Sequence, residues 1–501
     1  MSSSNDVRKE VRRKTIRNPF ERIDLKYIPN YDDEEGNLFE FHIADRDMKY
    51  IPLESFQNLS EVENINKEAV EIYVDLERLS WDVEKIPKFD ELVSNVADYI
   101  DKLIDSCSHV FILSISAYIP HFYSIISKVT SLKIRVLYYS ITEYSWIEDK
   151  DLSYFGSLRE FDSLINLQEF HVSIGDYSYT TKLNYMQVYR SLMKQLSKRR
   201  TIIVRVCERV FSGNMPVFEK FLNILKEYNM NFCLSNFEFQ TDLFNECIKR
   251  GYAKLSFRMQ NLLEINIEIS DLRSLRIFVT ALPFFKKLRV LGLIFKIDFF
   301  NNINNGGEDF KSYFSRMMFR KIHILRLDFD HSNIFNHSES HDHLFALMNE
   351  MAEEIIFQLD EKLQMLSLKG IPEMTHHMGN LLSRRCPHII DIYLDPRFSI
   401  DENFVEQMKE LKFISLNGVF HLNIPLNVEM AIVSSKDNQQ EINKLLVTSS
   451  DDEIYNFFED KFNRSFSYSL RICNGHCFKN FVLFNDMVQW NAYIGRMRIY
   501  F

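Results

Sequence analysis

Between residues 288 and 416 the chain repeats one apolar spacing, L-x-x-L-x-L, five times in succession. Leu288, Leu291 and Leu293 open the series, followed by Ile322, Leu325 and Leu327, then Leu363, Leu366 and Leu368. Ile389, Ile392 and Leu394 come next, and Leu411, Ile414 and Leu416 close it. Two apolar residues two apart share one side of a strand, and a third placed three positions earlier requires a bend into that strand. Each triplet therefore predicts a short strand entered through a turn. Upstream, Val110, Leu113 and Ile115 match, and Leu167, Phe170 and Val172 match with a phenylalanine inside. Looser strand-like runs cover 69–76, 201–206 and 252–257.

Amphipathic segments lie between these strands. Leu92, Val96, Tyr99, Ile100 and Leu103 form one helical stripe; Phe218, Phe221, Leu222 and Leu225 form a second; Leu344, Leu347, Met348, Met351 and Ile355 form a third. Alternating strand and helix suits either a doubly wound sheet or a solenoid. The interval decides. The first triplet position steps from 288 to 322, 363, 389 and 411, that is by 34, 41, 26 and 22 residues, and 110 to 132 is another 22. Leucine-rich repeats run about 20–29 residues, with longer steps as insertions. A nucleotide-binding sheet would carry a G-x-G-x-x-G after a strand, and no strand here does. Only 13 of 501 residues are glycine, so tight glycine turns are scarce. The predicted fold is an α/β leucine-rich-repeat solenoid, a horseshoe with a parallel concave sheet and outer helices. Its expected limits are a flexible charged tail over 1–35, the solenoid over 36–430, irregular in its first half, and a capping region over 431–501. Polar stretches at 299–312 and 330–343 are expected to be loops on one rim.

Charge and cysteine usage narrow the setting. A net charge of −10 offers no field for a polyphosphate, which disfavours nucleic acid as the partner. Arg8, Lys9, Arg12, Arg13, Lys14 and Arg17 form a basic head that reads as a solvated tail, with a localisation signal or phosphate-binding arm as the alternative. Seven scattered cysteines read as reduced, buried thiols. No segment has the roughly 18 apolar residues of a membrane span, and the first residues lack an apolar signal core. The expected compartment is the cytoplasm, with the nucleus second, and no membrane partner.

The stretch LLSRRCPHIIDIYL at 381–394 resembles the cysteine-containing leucine-rich repeats of F-box substrate receptors of ubiquitin ligases, and SCSHVFILSI at 106–115 is a weaker echo. Pro387 cannot continue a helix and turns the preceding residue toward extended geometry, while Cys386 is small and apolar enough to be buried at that bend. The resemblance implies a substrate receptor that docks a ligase adaptor through an N-terminal F-box. Residues 18–46 carry a proline and apolar residues without the L-P-x-E opening and helical run of such a box.

Chemistry-bearing clusters are few. His331, His337, His341 and His343 share one polar stretch, and Cys473, His476 and Cys477 lie close together, but neither spacing completes a structural zinc site. No P-loop, H-E-x-x-H or G-x-S-x-G motif occurs. The reading is accordingly not an enzyme, with no metal and no cofactor. It is an intracellular interaction module, in its specific form an F-box-like substrate receptor; the alternative is a structural or assembly scaffold, with an enzyme or zinc protein third. The partner is expected to be a protein on the concave face, with a ubiquitin-ligase adaptor as a second. Residues between the ladder leucines supply the predicted contacts: Arg326, Asp328, Ser367, Lys369, Tyr393, Asp395, Ser415 and Asn417.

Overall fold

The computed structural model describes residues 22–28, 38–43, 49–52, 69, 71–76, 89–108, 110–117, 119–140, 164–173, 179–199, 201–207, 215–237, 259–306, 310–314, 319–330, 342–434, 451–463, 471–472, 475–478 and 481–484. The chain divides into two compact units, one built mainly from Asn18–Phe237 and the other mainly from Glu264–Phe501.

In the first unit, β1 (Arg22–Ile28) pairs antiparallel with β2 (Leu38–Ile43), which pairs with β3 (Lys49–Pro52). The other side of β1 starts a parallel ladder through β4 (Glu71–Asp75), β5 (Ile112–Ser116), β6 (Val136–Ser140), β7 (Glu169–Ser173), β8 (Ile203–Cys207) and β9 (Asn231–Phe237). Helices α1 (Phe89–Ser106), α2 (Ile119–Ile126), α3 (Tyr179–Leu196) and α4 (Met215–Glu227) connect its strands. On α1 the whole predicted stripe from Leu92 to Leu103 is buried.

The second unit repeats the plan. Its ladder runs β10 (Leu262–Ile269), β11 (Val290–Phe295), β12 (Ile324–Phe329), β13 (Met365–Lys369), β15 (Asp391–Asp395), β17 (Phe413–Asn417), β18 (Met430–Ser434) and β21 (Phe481–Phe484), each parallel to the next. Short β14 (Glu373–Met374) and β16 (Ser399–Ile400) pair separately, and β19 (Arg471–Ile472) and β20 (Gly475–Phe478) join β21 as an antiparallel edge. Helices α5 (Leu272–Ala281), α6 (Ile297–Gly306), α7 (Asp342–Phe357) and α8 (His376–Arg385) fall between strands, and α9 (Asp451–Phe462) follows β18.

The triplets explain the ladder. Leu291, Leu325, Leu366, Ile392 and Ile414 are in cross-strand register, as are Leu293, Leu327, Leu368, Leu394 and Leu416, and all are buried. The entering residues Leu288, Ile322, Leu363, Ile389 and Leu411 are buried as well. Each such side chain contributes roughly 1.5–3 kcal/mol of transfer free energy, so a one-residue slip, which would turn the rows outward, is strongly disfavoured. Cys386 sits at the C-terminal end of α8 and is buried at the bend, as the sequence suggests. Burial pushes its thiol up to about 12, so it packs as a small apolar group rather than a nucleophile. Gly370 and Gly418 leave β13 and β17 with φ of 71° and 124°, positive values that favour glycine.

Several expectations need correction. Strand β1 lies inside the stretch read as a tail, because Ile23 and Leu25 alternate and are buried. Strands β18 and β21 continue the ladder past 430; there the entering triplet is Val428, Ala431 and Val433, and the alanine hides it. The repeat expected to begin at 132 begins at Ile134: Leu132 is 57% exposed, while Ile134, Leu137 and Tyr139 are buried. The polar stretch at 299–312 is largely α6, not a loop. Phe299 and Phe300 are buried against Phe295, and Phe300 stacks on Phe329 with 5.7 Å between ring centroids, so aromatic burial overrides the asparagine-rich composition. The basic head, the run at 252–257 and most of 330–343 lie outside the described residues.

Helix α8 carries a test of this packing. A Cβ added to buried Gly379 would lie 2.1 Å from the carbonyl oxygen and 2.8 Å from the carbonyl carbon of Phe404. Phe404 is itself fully buried and its N–H donates to the Asp401 carbonyl, so the backbone has little room to retreat. In an exposed helix alanine would be favoured over glycine by about 1 kcal/mol. Here Gly379→Ala should instead lower stability by about 1–3 kcal/mol in urea unfolding, whereas His377→Ala, exposed on the same helix, should stay within about 0.5 kcal/mol. An unchanged or raised midpoint for Gly379→Ala would contradict this close approach.

Candidate functional site

Strand alternation gives the second unit two unlike faces. One holds the buried rows. The other carries three registered rows of half-buried or polar side chains, and the eight residues singled out from sequence occupy two of them. Asn266, Gly292, Arg326, Ser367, Tyr393 and Ser415 form one row, and Glu268, Ile294, Asp328, Lys369 and Asp395 the other, with Asn417 on the same side of β17 just beyond its last registered pair with β15. Availability within these rows differs. Lys369 keeps 44% of its side chain exposed, and Ser367 and Tyr393 are half-buried. Asp395, Ser415 and Asn417 are buried, which corrects their reading as open contacts. The Tyr393 hydroxyl donates to Asp395 Oδ2 at 3.4 Å, and the Ser434 hydroxyl donates to Asn417 Oδ1.

The charges on this face are matched across strands. Lys369 Nζ lies 2.7 Å from Asp328 Oδ2 on the neighbouring strand. Lys296, just after β11, contacts Asp330 at 3.0 Å and Glu268 at 3.3 Å; burial lowers its pKa, but these acids outweigh that and hold it above its ordinary value. Arg326 reaches furthest. Its Nη1 passes the intervening β11 and donates to Glu264 Oε1 at 2.6 Å and to Asn266 Oδ1 at 3.4 Å, both on β10. Gly292 is the β11 residue between Asn266 and Arg326, and a Cβ there would meet Asn266 Oδ1 at 2.1 Å. The bare backbone leaves room for the Asn266 side chain in the row that Arg326 spans. Since Glu264 is 4% exposed, Arg326 is a structural partner as well as a surface group.

The third row was not read from the sequence. Glu264, Val290, Ile324, Met365, Asp391 and Phe413 stand side by side; Glu264 is held by Arg326, and Asp391 stands between apolar neighbours. Burial alone pushes Asp391 up to about 7. Among the described residues no cation or hydrogen-bond donor pairs with its side chain. The signal was available: Asp391, Tyr393 and Asp395 share one side of a five-residue strand.

The first unit has its own polar cluster. Arg205 Nε donates to Glu169 Oε2 at 2.8 Å, His171 Nε2 lies 2.9 Å from the same oxygen, and the Tyr138 and His171 rings are 4.0 Å apart. Burial raises the Glu169 pKa, but the hydrogen bonds and charges of His171 and Arg205 outweigh it and hold the carboxyl below its ordinary value. Among the described residues no group of three or more His, Cys, Asp or Glu is arranged to hold a metal ion. His331, His337, His341 and Cys473 lie outside those residues, and the side chains of His476 and Cys477 are not described. No helix among the described residues is long and apolar enough to cross a membrane.

Parallel strands entered through buried apolar residues, several followed by helices, with one apolar and one charged face, define an α/β repeat protein. The chain belongs to the family described as Domain of unknown function (DUF8346), whose model matches residues 31–497. Among solved structures it is similar to one described as the crystal structure of the Rad7 and Elc1 complex in yeast, with 12% identity and a TM-score of 0.34, over 75% of this chain and 85% of that one. No curated protein matches.

Proposed function

We propose that this chain is a non-enzymatic protein-interaction module, and that the polar sheet face of its second unit, as the concave side of a repeat solenoid, receives a protein partner. The observation supporting this reading is the registered arrangement of that face. Parallel pairing aligns residues in rows on any sheet; on this face the rows bring charged and aromatic side chains together on rigid strands, which suits recognition. The resemblance of 381–394 to F-box receptor repeats favours a substrate receptor of a ubiquitin ligase, working in the cytoplasm, as the specific form; an assembly scaffold is the other.

The contacts best placed for a partner are Lys369 and Tyr393. Arg326 is unsuited to a test of binding, because its loss would strand buried Glu264. Lys369→Ala combined with Tyr393→Ala should weaken partner capture by about tenfold or more at a temperature where circular dichroism shows the variant folded. Affinity purification followed by mass spectrometry reads the result. Recovery of an F-box adaptor supports the receptor form, and stable recovery of a different protein without it supports the scaffold. Equal capture by the double variant rejects this face.

A further inference from the structure

We propose that the segment received by this face carries a basic side chain, lysine or arginine, which seats on Asp391 between Met365 and Phe413. The inference rests on the proposed interaction face and names the chemistry of its partner.

The charge pattern supports it. Three described cations of the face each have an acid: Arg326 holds Glu264, Lys296 holds Glu268 and Asp330, and Lys369 holds Asp328. Lys412, which enters β17, pairs with Glu429 at 3.1 Å. Asp391 is left over. Its registered neighbours on both adjoining strands are uncharged, Met365 on β13 and Phe413 on β17, and the next residue on its own side of β15 is Tyr393. A carboxyl in such a place is poorly solvated and gains more from an incoming ammonium or guanidinium than an exposed one would. Burial has already raised its pKa to about 7, and a bound cation would restore the ionised form at neutral pH. The adjacent rings of Phe413 and Tyr393 suit the same guest, since aromatic faces attract cations and cover aliphatic stems.

The test uses the full chain and fluorescent alternating peptides, Arg-Ser and Lys-Ser, with Glu-Ser as the control, titrated by anisotropy. The basic peptides should bind and the acidic one should not. Asp391→Asn, which keeps shape and removes charge, should weaken that binding by about tenfold or more. Failure of the basic peptides to bind, equal affinity for Asp391→Asn, or preference for Glu-Ser overturns the proposal. So does calcium binding that depends on Asp391, which would make the site one for a metal. If Lys369→Ala with Tyr393→Ala abolishes partner capture while Asp391→Asn binds the basic peptides like the parent, this inference fails and the interaction face stands.

Discussion

Arg326→Met should lower stability by on the order of 3–5 kcal/mol, the range found when one member of a buried ion pair is removed. The substitution keeps an unbranched, apolar stem, so the loss comes mainly from Glu264, whose carboxylate would stay in a site only 4% exposed without its 2.6 Å partner. That mechanism has a check. Adding Glu264→Gln to Arg326→Met should recover much of the loss, because a neutral amide tolerates burial better than an orphaned carboxylate and can still bond to its neighbours. Urea unfolding of the single and double variants reads both effects. A loss under about 1 kcal/mol would class the pair with exposed salt bridges instead.

Asp391→Asn should show an effect that depends on pH. Burial raises the folded carboxyl to about 7, against an ordinary value of 3.8 for the unfolded chain. Below the lower value both states carry the proton, and the group leaves the fold undisturbed. Between the two values the unfolded chain has released a proton that the folded chain retains, so stability falls as pH rises through this window. The full difference is on the order of 2–4 kcal/mol and is reached above about pH 7. Asparagine cannot ionise. The variant should therefore be more stable than the parent at about pH 8 and close to it at about pH 4, and parallel profiles across that range would refute the assignment. The environment leaves little to offset the trend: Met365 and Phe413 flank the carboxyl, Tyr393 is next on its strand, and Lys369 and Lys412 on the adjoining segments are engaged with Asp328 and Glu429.

The ladder was legible wherever three aliphatic residues held the full spacing, because that spacing encodes both the strand side and the bend before it. It failed where another side chain did the same job. Tyr139 ends the triplet of β6 and Ala431 sits inside that of β18, and spacing alone could not choose Ile134 over Leu132. Helix α6 was hidden by its asparagines, since the stacking of Phe300 on Phe329 is a contact with the next strand that no local pattern displays. The face followed from alternation, which is a local property. Its pairings did not: Arg326 and Glu264 are 62 residues apart, and their meeting depends on which strands are neighbours. Nor could alternation say that Asp395, Ser415 and Asn417 would be covered while Lys369 stayed open.

Repeat arrays are often treated as beads that can be removed, copied or shuffled. The guanidinium that crosses a glycine to reach an acid two strands away denies that freedom to β11. Excising that repeat would bring donor and acceptor strands side by side with an arm too long for the gap, and duplicating it would put the acid out of reach. The protein's length is therefore fixed at this point by a span, and a shuffled version would need its charges rewritten together with its strands.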